Sequence, residues 1–94
     1  MQNDITTLRK QIDTIDEQLL SLINERASLA IEIGDVKNRI GGKTYDPTRE
    51  RFILEQIDDL NKGPLDKGAV EEIFATIITA CREIQIRERS NSPR

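Results

Sequence analysis

From residue 5 the apolar side chains advance by three, then four, then three again. They are Ile5, Leu8, Ile12, Ile15, Leu19, Leu22, then position 26, then Leu29, Ile33, Val36 and Ile40. About five heptads of this pattern commit the segment to one long helix that lies along another with slight left-handed supercoiling. No proline interrupts it, and Gly34, costing about 1 kcal/mol relative to alanine, is a weak breaker. A helix over residues 4–40 is roughly 55 Å long, whereas a compact chain of 94 residues has a radius of gyration of only about 12 Å. Something other than a compact fold of this one chain must cover that seam.

The remainder of the chain is too short to do so. Gly41-Gly42 offers a helix stop and a loop. Asp46 then suits an N-cap and Pro47 the first turn of a second helix, whose apolar stripe is Phe52, Ile53, Ile57 and Leu60. That helix ends at Lys62-Gly63-Pro64. Asp66 can cap a third, with a buried stripe of Val70, Ile73, Phe74, Ile77, Ile78, Cys81, Ile84 and Gln85. Beyond about Arg87, residues 88–94 are polar and read as a frayed tail or a linker. The absence of strand alternation and internal repeats predicts an all-α single domain over residues 1–94, one long helix and two short ones. Two helices of about fifteen residues each, roughly 22 Å long, cannot cover the seam, so an intertwined homodimer is expected.

Composition narrows the function. Lys and Arg total 14 against 17 Asp and Glu, for a net charge of −3, and no basic block is interleaved with aromatics, which argues against nucleic-acid binding. No apolar run approaches a membrane span and the N-terminus is polar, so neither a membrane segment nor a signal peptide is expected. One cysteine and no histidine exclude a disulfide framework and a Cys/His zinc site. The expectation is a soluble protein of a reducing cytoplasm.

The one charge in the seam is Arg26. A charge there needs an anionic partner, since breaking a buried ion pair commonly costs about 3–5 kcal/mol. The partner could be an acid of a neighbouring helix, in a strut or register device. It could equally be a ligand, because Lys37 lies close to three turns further on and near the same face, about 16 Å along the axis. With Gly34 leaving open space between them, the two cations fit a pocket for an anion. On the third helix Cys81 and Gln85, four apart, share an otherwise apolar face. Without histidine there is no base to activate Cys81, which reads as wall rather than nucleophile. Asp46 and Glu50, one turn apart at a helix start, complement the helix dipole. Arg9 and Arg49, taken alone, pass for surface residues.

Taken together, residues 8–37 (LRKQIDTIDEQLLSLINERASLAIEIGDVK), 45–54 (YDPTRERFIL) and 73–85 (IFATIITACREIQ) closely resemble the all-helical chorismate mutases. The resemblance spans about Ile5 to Ile86, and its motifs are specific in combination: L-R near the start, D-x-x-L-L-x-L-I-x-x-R, a lysine eleven residues later, D-x-x-R-E, and a terminal helix with a polar residue four before a Gln. It implies two chains intertwined through their first helices, each of two active sites completed by an arginine from the other chain. Arg9 matches that donated arginine and Arg26 the one that binds a substrate carboxylate. Lys37 and Gln85 match the donors to the ether oxygen of the breaking bond. Asp46, through its backbone, and Glu50 match the residues that hold the ring hydroxyl, and Arg49 matches a pocket-lining arginine. Position 81, often serine in the family, is cysteine here, and a thiol is the weaker donor.

Helix geometry agrees on one point without the family. Arg9 lies about 25 Å from Arg26 and about 42 Å from Lys37 along a single helix, so no small dianion could touch all three from one chain. The reaction implied is the conversion of chorismate to prephenate, with chorismate the only small-molecule partner and no cofactor. Two rival readings share the fold: a lyase releasing pyruvate from isochorismate with the same arginines and lysine, and a non-catalytic helical dimer.

Overall fold

The computed structural model describes residues 4–91 as three helices, α1 (Ile5–Ile40), α2 (Pro47–Leu60) and α3 (Lys67–Asn91). Each begins at an aspartate whose side chain takes up an orphan backbone donor. Asp4 Oδ1 accepts from the Thr7 N–H at 2.8 Å, a bond that holds the Asp4 carboxyl below its usual range. Asp46 Oδ1 accepts from the Arg49 N–H at 3.0 Å, with Pro47 opening the helix where its missing N–H removes no bond. Asp66 Oδ1 accepts from the Ala69 N–H at 2.8 Å. Gly41 stops α1 by adopting φ 76°, a left-handed conformation that favours glycine, and Gly42 donates its N–H to the Lys37 carbonyl at 2.7 Å.

The third helix differs from the expectation in length and in its end, with 25 residues rather than about fifteen. α3 continues to Asn91 rather than ending near Arg87, so residues 88–91 are helix; residues 92–94 lie outside the described residues. Arg89 anchors that last stretch. Its Nε donates to Asn38 Oδ1 at 3.1 Å and its Nη1 to Thr44 Oγ1 at 2.9 Å.

α2 and α3 form an antiparallel hairpin, with Lys67 Nζ 3.8 Å from Asp58 Oδ2 near its turn and Arg82 bonded to Glu50 nearer its open end. α3 runs alongside the C-terminal half of α1 in the same direction, since Gln85 meets Ala30 and Arg89 meets Asn38. α1 and α2 do not pack on each other; α3 joins them. The part of α1 that α3 covers is not the apolar seam but the neighbouring face of Ala27, Ala30, Ile31, Gly34 and Asn38, whose small residues admit close approach.

The seam itself is bare. Its apolar residues from Ile5 to Ile40 are all exposed within the chain, Leu22 at 60% and Leu19 at 50%. The molecule extends 59 Å along its major axis with a radius of gyration of 17.0 Å, against about 12 Å for a compact chain of this length. On α3 the expected stripe is only partly covered. Val70, Ile78, Cys81 and Gln85 are buried, Phe74, Ile77 and Ile84 half-buried, while Ile73 is exposed, because one long helix and one short one cannot wrap it.

Candidate functional site

Where the C-terminal half of α1, the first turns of α2 and the middle turns of α3 converge, they form a cleft of about 240 Å³. That lies just below the usual range for a small-molecule site. α1 contributes Arg26 and Lys37, with Leu29 and Ile33 of the seam between them. The start of α2 contributes Asp46, Arg49 and Glu50, and α3 contributes Cys81, Arg82 and Gln85. Seven of the eight residues singled out in the sequence thus line one cleft. The eighth, Arg9, is exposed on the distant half of α1 and is absent from its walls.

The charges are unbalanced. Four cations, Arg26, Lys37, Arg49 and Arg82, face two acids, and both acids have other work. Asp46 caps α2, and Glu50 Oε2 accepts from Arg82 Nε at 2.8 Å. Among the described residues Arg26 and Lys37, both half-buried, form no ion pair. No strut for Arg26 is therefore found among the described residues of its own chain, and the cleft they form presents uncompensated positive charge. No three His, Cys, Asp or Glu side chains among the described residues gather where they could hold a metal ion.

Gln85 is 8% exposed, and its Nε2 donates to the Ala30 carbonyl at 2.7 Å. A carbonyl can only accept, so this contact fixes which end of the amide faces α1 and leaves the second Nε2 hydrogen uncommitted. The open space expected at Gly34 is not ligand space. A Cβ built there would lie 2.6 Å from Gln85 Cγ, so the missing side chain of Gly34 makes room for Gln85. Cys81 is buried in the cleft wall one turn before Gln85.

Three residues of the site escape a reading of the sequence. Arg82 passes for a surface charge in a run of alternating acids and bases. In the fold its guanidinium also lies 4.9 Å from the Tyr45 ring centroid, and its hydrogen bond to Glu50, chiefly, holds it above its ordinary pKa. Arg89 follows Gln85 by four, the spacing that already joined Cys81 to Gln85, and that signal could have found it. Thr44 lines the cleft and is held there by Arg89.

Known proteins share both the sequence and the fold. A family model for chorismate mutase type II matches residues 8–86. The chain is 39% identical over 89 residues to a bifunctional chorismate mutase/prephenate dehydratase of Pseudomonas aeruginosa, a match covering 89% of this chain and 24% of that protein. It is 36% identical over 86 residues to a chorismate mutase of Methanocaldococcus jannaschii, covering 90% of this chain and 87% of that one. The chain spans about a quarter of the length of the bifunctional relatives it matches. In fold it is similar to a chorismate mutase structure (form II) from Thermus thermophilus, with TM-score 0.87 and 32% identity over 88% of this chain and 94% of that one.

Proposed function

The chain belongs to the chorismate mutase type II family, and from that premise we propose that it converts chorismate to prephenate in a site completed by a second copy of itself. The observation that carries the proposal is the pair of half-buried cations, Arg26 and Lys37, left without an acid in a cleft whose own acids are engaged elsewhere. A small dianion is the partner that satisfies them.

The reaction is an intramolecular [3,3] rearrangement. One C–O ether bond breaks as one C–C bond forms, no proton is gained or lost, and no covalent intermediate with the protein arises. What it needs from a protein is confinement of a flexible dianion in its reactive conformer and stabilisation of the charge that develops on the ether oxygen. Arg26 binds one carboxylate through charge-assisted hydrogen bonds. Lys37 and the free amide hydrogen of Gln85 donate to the ether oxygen, each worth about 2.7–4 kcal/mol of barrier by comparison with oxyanion donors. Glu50 and the backbone at Asp46 take the ring hydroxyl, Arg49 adds to the positive rim, and Cys81 shapes the wall.

Arg9 serves the site of the other chain. The bare seam from Ile5 to Leu22 supports this, because each leucine or isoleucine it buries gains about 1.5–3 kcal/mol and a second α1 is the surface with the matching repeat. The single cysteine, a free thiol in the cleft wall, suits a reducing cytoplasm. Among the described residues no helix is long and apolar enough to cross a membrane. The test is incubation with chorismate or with isochorismate. Prephenate from the first supports the proposal; pyruvate release from the second, with chorismate untouched, assigns the chain to lyase chemistry instead.

A further inference from the structure

Arg82 joins three parts of the molecule at the edge of the cleft. It projects from α3, its Nε holds Glu50 Oε2 in the first turn of α2 at 2.8 Å, and its guanidinium lies 4.9 Å from the ring of Tyr45 in the loop that leads to Asp46. The pair is neither a surface ornament nor a sealed core bridge: the two side chains are 30% and 23% exposed, and both line the cleft. Glu50 shares that cleft with Arg26, Lys37 and Arg49, none of which has an acid partner among the described residues. A carboxylate left loose among three such cations would fold onto one of them and occupy the charge meant for the ligand.

We propose that Arg82 is a positioning residue that ties Glu50 to α3, keeping one carboxylate oxygen turned to the ring hydroxyl of the substrate and the carboxylate as a whole off Arg26 and Lys37. This rests on the reading of the cleft as a chorismate site. The guanidinium suits the task because its planar fork bonds a carboxylate on one edge while its face stacks on an aromatic ring, a combination that the point charge of a lysine does not reproduce. The Tyr45 contact also couples Arg82 to the loop that presents the Asp46 backbone, so the two hydroxyl-holding groups share one support.

A double-mutant cycle in kcat/KM for chorismate tests this, using the full chain and the variants Arg82→Gln, Glu50→Gln and both together. Each single change is expected to lower kcat/KM about tenfold, with KM moving more than kcat for Arg82→Gln and Arg82→Lys recovering only part of the loss. Because Arg82 acts through Glu50, the double variant should be no worse than Glu50→Gln alone. Losses that multiply to about a hundredfold would mean that Arg82 touches the substrate itself or acts elsewhere, and overturn the inference. A drop in melting temperature with unchanged kcat/KM would overturn it too, by making the pair a strut. A wild-type chain that leaves chorismate untouched removes the function reading first, a failure distinct from additivity in an active enzyme.

Discussion

The two halves of α1 carry the same repeat and meet different fates. From Ile5 to Leu22 no described residue covers the seam, and every residue of that stretch except Thr7 is exposed. From Arg26 onward the helix has α3 against one face and the cleft against another, with Leu29 and Ile33 turned from seam into pocket wall. A heptad repeat specifies that a helix will be covered, but not by what. On the proposed reading, the half that a second α1 would cover keeps an apolar repeat, and the half that faces a small anion admits Arg26.

That contrast can be broken at either end. The largest effect is expected from Leu19→Asp in the bare half. If a second α1 covers the seam, an unpaired charge there costs about 3–5 kcal/mol per chain, so sedimentation should find monomers and turnover should vanish. A variant that keeps its assembly state would remove the seam as the contact. Next comes Arg26→Ala in the cleft half, which should lower kcat/KM about a hundredfold to a thousandfold without lowering the melting temperature, since no acid among the described residues is stranded. A large loss of stability with modest loss of rate would return Arg26 to the role of a strut. A smaller effect is expected from Gly34→Ala. The added Cβ lies 2.6 Å from Gln85 Cγ, an overpacking that typically costs about 1–3 kcal/mol and is offset by about 1 kcal/mol of helix propensity. Stability should therefore fall by no more than about 2 kcal/mol while kcat falls about tenfold as Gln85 is pushed from Ala30; unchanged kcat would detach Gln85 from the chemistry.

Much of this was legible because it is local. Asp46 with Pro47, Asp66, and Gly41 mark helix ends by backbone donors and dihedral angles that depend only on near neighbours. Arg26 stands out by breaking the apolar repeat, and Lys37 by lying close to three turns beyond it near the same face. What escaped depends on pairs far apart in the chain. Arg82 and Glu50 are 32 residues apart, Arg89 and Thr44 are 45 apart, and nothing in either segment says that they meet. The polar end of α3 looked frayed because its anchor, Asn38 with Thr44, belongs to another helix and its loop. Gly34 was noticed for the right reason, room beside a helix, but which neighbour fills that room depends on how α3 is placed. Ile73 is bare for the same reason as the seam: the chain by itself has too little helix to cover what it exposes.

The central claim is that each cleft is built by one chain and finished by the other, with Arg9 crossing over. Mixing an Arg9→Ala chain with an Arg26→Ala chain, after dissociation and reassociation, tests it most directly. Each variant alone should be inactive, and the mixture should recover activity, because a heterodimer carries one site with both arginines intact and one with neither. A mixture that forms heterodimers yet stays as inactive as its parents would contradict the account.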